Sequence, residues 1–524
     1  MTLVRVEAGK NIKNAMEQRS KLQPEIPSQV IALISGVVLA FSFPKFSVGF
    51  LAWVALAPFF YTLWHSKNGW DACLQGALAG IGFFAISIHW LTHVTFFGYL
   101  FGILLQSSFW VVAGVAIFLG RKLPSPLRIL WTAMAWTGAE VLRANAPIFA
   151  FGWNLTAYSQ SFYPVILQAA NVAGAYGLGC LIALVNAGLA EFPAQKISRK
   201  IILGICLIAL GAAVTAHGRY WLSKESAESV KNIRISLIQG NIAQEIKWEP
   251  AVREKILDIH LKMSELVAFE DSELIIWPEA AFPGYFNRDL LSDRVRDLVR
   301  KTSVPMLIGS PHFEEPDNAF NSAYLIGPDG ETKSRYDKQH LVPFGEYVPL
   351  KLFFGWLEPI AYSLGVSNFS AGHESTVFNI MNNEFKFSTL ICFEDVFPSI
   401  ARKFVERGAD FLAVITNDAW FGSTGAPYQH LQASIFRAVE NGVPVLRAAN
   451  TGISSYVSSK GIELKRLQGQ DGDDLFVTAR STFELPVEKI DTIYKRGGWI
   501  FEPLMFSLFV LGMIVLFGIN RMRG

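Results

Sequence analysis

Cysteine is nearly absent from this 524-residue chain, which has four. Cys73, Cys180 and Cys206 lie in long apolar runs, and Cys392 stands alone between Ser223 and Arg496. A lone thiol excludes a disulfide framework in that stretch and leaves two readings, a buried structural cysteine or a nucleophile. Charge is scarce as well: Asp, Glu, Lys and Arg make up 17% of the chain, against 51% apolar residues. No long basic stripe runs through it, so the electrostatic footprint of a nucleic-acid binder is missing. A chain this long with a mean hydropathy of +0.31 reads as a membrane protein of more than one domain.

The few charges are unevenly placed. Of 90 in all, 66 fall between Ser223 and Gly497, as 29 basic and 37 acidic residues, and the remaining 24 carry a net charge of +10. This pattern fits a mildly acidic water-exposed domain set into a membrane protein with basic loops. A helix that crosses a bilayer needs about 20 apolar residues. Seven such runs precede the charged segment, at 28–44, 47–64, 72–94, 97–120, 127–146, 165–190 and 200–220, and an eighth follows at 498–520. The expected division is a cytoplasmic tail at 1–27, a seven-helix membrane domain at 28–221, a charged domain at 222–497, an eighth helix at 498–520 and a tail at 521–524. The aromatic stretch from Pro147 to Pro164 reads as a loop or a re-entrant piece.

Orientation follows from basic residues. They crowd the N-terminal tail (Arg5, Lys10, Lys13, Arg19, Lys21), alternate loops (Lys67; Arg121, Lys122, Arg128; Lys196, Arg199, Lys200) and the C-terminal tail (Arg521, Arg523). Both termini are therefore expected in the cytoplasm and residues 222–497 outside. His89, His93, Glu140, Arg143, Gln168 and Asn171 then fall near the outer ends of their spans. Polar groups there face a cavity or each other. His89 and His93 have i,i+4 spacing but no third ligand, so no metal is expected.

The charged segment alternates short strands and helices, which predicts an α/β layered fold. Strands are expected at 232–239, 274–277, 304–309, 323–326, 385–391, 411–416, 443–448 and 454–458. Helices are expected at 249–269, 289–301, 396–408 and 429–441. Such sheets place their sites at the carboxyl ends of strands. Glu279, Cys392 and Asn417 each sit just past one. Cys392 ends the run Phe387-Ser-Thr-Leu-Ile-Cys-Phe-Glu-Asp395, where a strand delivers a thiol into a turn and a helix. Glu279 lies in Trp277-Pro-Glu279 and Lys338 in Tyr336-Asp-Lys-Gln-His-Leu-Val-Pro-Phe-Gly-Glu346. A carboxylate base, a cation and a thiol together suit acyl transfer.

These three motifs in order resemble the carbon–nitrogen hydrolase (nitrilase) superfamily. With seven spans before and one after, and with Gln239-Gly-Asn-Ile-Ala-Gln-Glu-Ile-Lys-Trp-Glu-Pro250, nearly the whole chain resembles the bacterial apolipoprotein N-acyltransferase family. The resemblance implies an extracytoplasmic αββα sandwich above a bundle of about eight helices in the inner membrane. It implies Glu279, Lys338 and Cys392 as catalytic residues, with Glu346 orienting Lys338 and Glu394 in support. Trp248, Phe393, Trp420 and Asn417 are the implied substrate-binding positions. The family often has Tyr where this chain has Phe393, so no hydroxyl acts there. The implied partners are a phospholipid acyl donor, a diacylglyceryl-modified apolipoprotein acceptor and the bilayer, with no cofactor, no metal and no nucleic acid, and a monomer is expected. A membrane-tethered amidase using water as acceptor would carry the same motifs. A transporter with an accessory domain would instead place its polar groups at the bilayer midplane. The aromatic segment 347–369 reads as a membrane-surface arm, a lid or a core helix.

Overall fold

The computed structural model describes residues 26–225, 230–349 and 368–522. The N-terminal tail to residue 25, and residues 350–367 of the aromatic segment, lie outside these ranges. All eight apolar segments contain helix, but they differ in their capacity to cross a membrane. Gly69–Ser87, Phe96–Leu119, Ala170–Glu191, Ile197–Ser223 and Gly498–Met522 are long and apolar enough. Ser28–Ala40 has 13 residues, which rise about 20 Å against a hydrocarbon core of about 30 Å. The segment 49–64 is divided between a 3₁₀ turn, Gly49–Trp53, and an eight-residue helix, Ala57–Trp64. Ser125–Asn145 is long enough but carries Arg128, Glu140 and Arg143.

Those charges have a local cause. The stretch from Phe151 to Gln160 is irregular backbone as far as Leu155 and then a 3₁₀ turn, Thr156–Gln160, buried among the helices, and such backbone must find partners inside the protein. Glu140 accepts from the Thr156 N–H at 2.7 Å and its hydroxyl at 2.8 Å. Arg143 donates to the carbonyls of Phe151 and Trp153, both at 2.9 Å. The two residues brace this segment from one helix face.

The remainder forms two six-stranded sheets. In chain order the strands are β1 (Lys231–Gln239), β2 (Leu274–Ile276), β3 (Met306–Glu314), β4 (Asn318–Ile326), β5 (Thr332–Asp337), β6 (Phe378–Ile380), β7 (Phe385–Ile391), β8 (Phe411–Thr416), β9 (Val445–Ala449), β10 (Ser455–Val457), β11 (Glu463–Arg466) and β12 (Ala479–Val487). One sheet has the order β12-β1-β2-β3-β4-β5 and the other β11-β10-β9-β8-β7-β6. The sheets face each other. Tyr456 on β10 reaches across, and its single hydroxyl proton is shared between the carbonyls of Ile235 (2.9 Å) and Ser481 (2.8 Å).

Helices cover both outer faces, which completes the expected αββα order. Arg253–Ala268 and Leu291–Thr302 lay Leu257, Val267, Val295 and Val299 on Ile238, Ile275, Met306 and Ile308. Pro398–Glu406 and Ala426–Asn441 cover the other sheet. All of Ala426–Asn441 except Tyr428 is buried, because its far side rests on the membrane helices. Gln429 donates to the carbonyls of Pro44 (3.2 Å) and Ser87 (2.9 Å), and Gln432 to that of Tyr158 (2.9 Å). Glu440 accepts from the Ala175 N–H at 2.9 Å. That N–H is free to donate because Gly174, at φ +68°, interrupts the helix Ala170–Glu191.

A buried charge network ties this helix to the sheet. Arg447 on β9 bonds Asp395 at 3.1 Å and Asp418 at 3.0 Å, and His430 faces the same two carboxylates at 3.1 and 2.9 Å. Both ring nitrogens of His430 face carboxylate oxygens, so the imidazolium fits. Burial and then Arg447 oppose that charge, but Asp395 and Asp418 outweigh them and raise the pKa to about 9. A histidine held this way stabilises the fold fully below its unfolded value of about 6.5, and the contribution is lost as pH rises through about 9. Thermal stability in detergent should therefore fall between about pH 7 and pH 9, and His430→Gln should flatten that slope. Arg447→Ala leaves two buried carboxylates with the single charge of His430 and should cost about 3–5 kcal/mol, read as a lowered melting temperature.

Candidate active site

Four strand ends converge. Residues 277–279 follow β2, Lys338 follows β5, Cys392 follows β7 and Asn417 follows β8. Cys392 adopts φ +53° as β7 turns into the 3₁₀ turn Cys392–Val396. A side chain rarely takes this left-handed conformation, and such strain gathers at functional turns. Gly309 on β3 is needed beside the Glu279 turn, because a Cβ there would lie 2.2 Å from the Pro278 carbonyl oxygen.

Lys338 is 1% exposed. Its ammonium lies 2.8 Å from Glu346 and 3.6 Å from Glu279. Asn321 on β4 joins the two carboxylates, donating to Glu279 Oε1 and to Glu346 Oε1, each at 2.8 Å. The other Glu279 oxygen accepts from the Asn417 N–H at 2.9 Å, and Glu346 accepts from the Val342 N–H at 2.8 Å. Burial works against the charge on Lys338, but Glu346, Glu279 and Cys392 outweigh it and hold the ammonium protonated. Burial pushes the Cys392 thiol well up; Glu279 adds to this and Lys338 opposes it. At rest the thiol therefore keeps its proton, beside a carboxylate that can take it.

Each expected site residue has a definite place. Glu394 is fully buried and lines no entrance. It accepts from the Ile391 N–H (2.8 Å), the Tyr336 hydroxyl (2.8 Å), the Gln339 N–H (2.7 Å) and the His340 N–H (3.2 Å). It thus fastens the loop of Lys338 to the turn of Cys392. Phe393 is buried, with its ring 5.2 Å from that of Phe397. Asn417 donates to Gln244 and accepts from Asn450, which anchors the loop after β1. Trp248 and Trp420 are 48% and 41% exposed and remain open to a ligand.

The matches with known proteins divide along the same line. Residues 234–481 match the family described as carbon-nitrogen hydrolase, and residues 35–188 match the apolipoprotein N-acyltransferase N-terminal domain. An apolipoprotein N-acyltransferase of Geobacter metallireducens is 34% identical, covering 90% of this chain and 92% of that one. The chain belongs to the apolipoprotein N-acyltransferase family. A second member, from Haemophilus ducreyi, is 29% identical over 92% of this chain and 96% of its own. A nitrilase-superfamily amidase from Nesterenkonia AN1 is 21% identical, covers 50% of this chain and 93% of its own, and has a TM-score of 0.38. Membership makes the chain an acyltransferase, and its hydrolase-type portion holds the cluster around Lys338.

Sequence reasoning missed three members of the cluster. Asn321 lies inside β4 with no motif around it, and only strand pairing brings it beneath both carboxylates. Gln244 and Lys247 sit in the segment after Gln239 that marks the family, but nothing in their spacing singles them out. Asn321→Asp would replace a shared donor with a third carboxylate. It should slow covalent labelling of Cys392 about tenfold to a hundredfold, the loss of one to two charge-assisted hydrogen bonds. Stopped time courses resolved by intact mass would measure it.

Proposed function

We propose that this protein moves a fatty acyl chain from a membrane phospholipid to the N-terminal α-amine of the diacylglyceryl-cysteine of apolipoproteins, through a thioester on Cys392. The observation that carries the reading is the buried set of Glu279, Lys338 and Glu346 beside a protonated thiol in a strained turn.

The chemistry follows from the charges. Glu279 takes the Cys392 thiol proton, and the sulfur attacks the phospholipid ester carbonyl, whose π electrons pass to oxygen. Lys338 and a backbone N–H beside Cys392 stabilise that oxyanion, at about 3–4 kcal/mol per donor. Collapse breaks the ester C–O bond; the leaving lysophospholipid oxygen receives the proton from Glu279, and the acyl group stays on sulfur. The acceptor amine then attacks the thioester, Glu279 takes its proton, and the amide forms as the thiolate leaves and is reprotonated. Glu346 keeps Lys338 in place. The exposed rings of Trp248 and Trp420 suit the path of an acyl chain or head group, and Phe393 forms part of its wall.

Both substrates live in lipid, and the five apolar helices support a bilayer setting. The basic loops support an inner-membrane protein with cytoplasmic termini and its catalytic portion in the periplasm.

Protein incubated with phospholipid vesicles should gain one acyl mass that hydroxylamine removes. Cys392→Ser should lose this hydroxylamine-labile adduct, and its survival in that variant would sink the assignment. Glu279→Gln and Lys338→Ala should each slow single-turnover acylation about a hundredfold or more. Rates near wild type in either would refute its role. Free fatty acid released in place of an acylated amine would favour water as the acceptor.

A further inference from the structure

A second lysine is buried at the same site. Lys247 is 3% exposed, and among the described residues no carboxylate lies within ion-pair distance of it. Its one hydrogen bond among the described residues goes to the backbone carbonyl oxygen of Glu279, at 3.2 Å. An ammonium with three donors, one of them used, is costly to bury unless it offsets negative charge nearby. The segment that carries it is held firmly. Asn450 exchanges hydrogen bonds with both polar groups of the Ile242 backbone, and Gln244 accepts from Asn417. The position of Lys247 is therefore built into the fold.

The charge balance shows what it offsets. Lys338 is shared between Glu279 and Glu346, so one cation faces two carboxylates. Lys247 brings the cluster to neutrality. When the Cys392 S–H bond breaks, the proton passes to Glu279 and the electron pair stays on sulfur. The cluster then holds the thiolate, Glu346, Lys338 and Lys247, and is again neutral. Without Lys247 the thiolate would form in a buried site carrying a net negative charge. The hydrogen bond to the Glu279 carbonyl also steadies the turn in which the next residue, Ala280, takes φ +47°.

We propose that Lys247 is the second cation of the site, a positioning residue that holds the Glu279 turn and supplies the positive charge against which the Cys392 thiolate forms. The proposal rests on the acyl-transfer reading above and names a further residue for it. The groups that face Lys247 agree. Glu279 and Cys392 both favour its charge, while burial, the larger effect, lowers it to about 8. His260 packs nearby with its Nδ1 on the Ile256 carbonyl and its Nε2 without a partner among the described residues. Burial first, and Lys247 as well, keep that ring neutral down to about pH 4, so it adds no competing cation. The Trp248 ring centroid lies 5.9 Å from the ammonium.

The test is the alkylation rate of Cys392 by iodoacetamide in the full-length protein in detergent, followed by peptide mapping. This rate reports thiolate availability without any lipid substrate. Lys247→Met keeps the length of the side chain and removes its charge. It should slow alkylation at pH 7.5 about tenfold, equivalent to one pKa unit, with the melting temperature little changed. Lys247→Arg, which keeps the charge, should stay well above the Met variant. Equal rates in wild type and Lys247→Met would overturn the proposal. So would equal slowing by Arg and Met, which would mark a packing role. If the Met variant does not fold, Lys247→Gln against Lys247→Arg decides by the same comparison. Failure of the acyl-transfer reading looks different, because wild type would then alkylate normally yet form no hydroxylamine-labile adduct from phospholipid.

Discussion

The site depends on one electrostatic constraint: a lysine ammonium removed from water must meet negative charge, and that charge must itself be held. Lys338 meets Glu346 and Glu279, and Asn321 locks the two carboxylates together from β4. Replacing one partner of such a set leaves a buried charge unpaired, which costs far more than the set contributes when complete. The geometry is therefore all-or-none. Its members arrive from three strands of one sheet, and the thiol arrives from the facing sheet, so the sandwich has to close before the cluster exists.

The same logic recurs below the thiol. Asp395, Asp418, His430 and Arg447 form a second buried network, and a ring nitrogen of His430 also faces the Cys392 carbonyl at 3.2 Å. Trp153, from the buried irregular segment of the membrane half, packs against that imidazole at a tilt, with 5.2 Å between ring centroids. A continuous chain of contacts thus runs from the membrane helices through one ring to the backbone of the proposed nucleophile. The helix Ala426–Asn441 carries most of it, which explains how a helix with so many polar residues can be almost entirely buried: its glutamines and Glu440 complete backbone groups that the membrane half leaves open. The membrane half and the sandwich therefore form one packed body along this face, with shared hydrogen bonds in place of a solvated interface.

Much of this was legible in advance, for identifiable reasons. Strands β7 and β8 match their expected ranges, and for β8 the reason is plain: it is central, parallel to both neighbours and buried throughout, so it reads as an apolar run. The strand β12 escaped notice. It is half-buried, pairs antiparallel with β1 almost 250 residues away in sequence, and so leaves no local signal. The helix expected at 396–408 is present as Pro398–Glu406, after a 3₁₀ turn, Cys392–Val396, that sets the direction of Cys392. The eight apolar segments were visible from hydropathy, but composition did not reveal that 49–64 breaks into two pieces or that Glu140 and Arg143 serve an irregular backbone stretch.

The sequence by itself determined the chemistry available: a single thiol in the charged half, a Trp-Pro-Glu carboxylate, a lysine with a glutamate eight residues on, and apolar segments that call for lipid. Those are properties of residue type and order, and they survive without coordinates. The tertiary structure alone decided which groups share a buried environment. Asn321, Gln244 and Lys247 look like ordinary polar residues in the chain, and Glu394 looks like a neighbour of the thiol. Folding sets Asn321 between two carboxylates, Gln244 on the Asn417 amide and Lys247 on the Glu279 backbone carbonyl, and makes Glu394 a clamp between two loops. Hydrogen bonding and desolvation act over a few ångströms in space, and sequence distance carries no record of them.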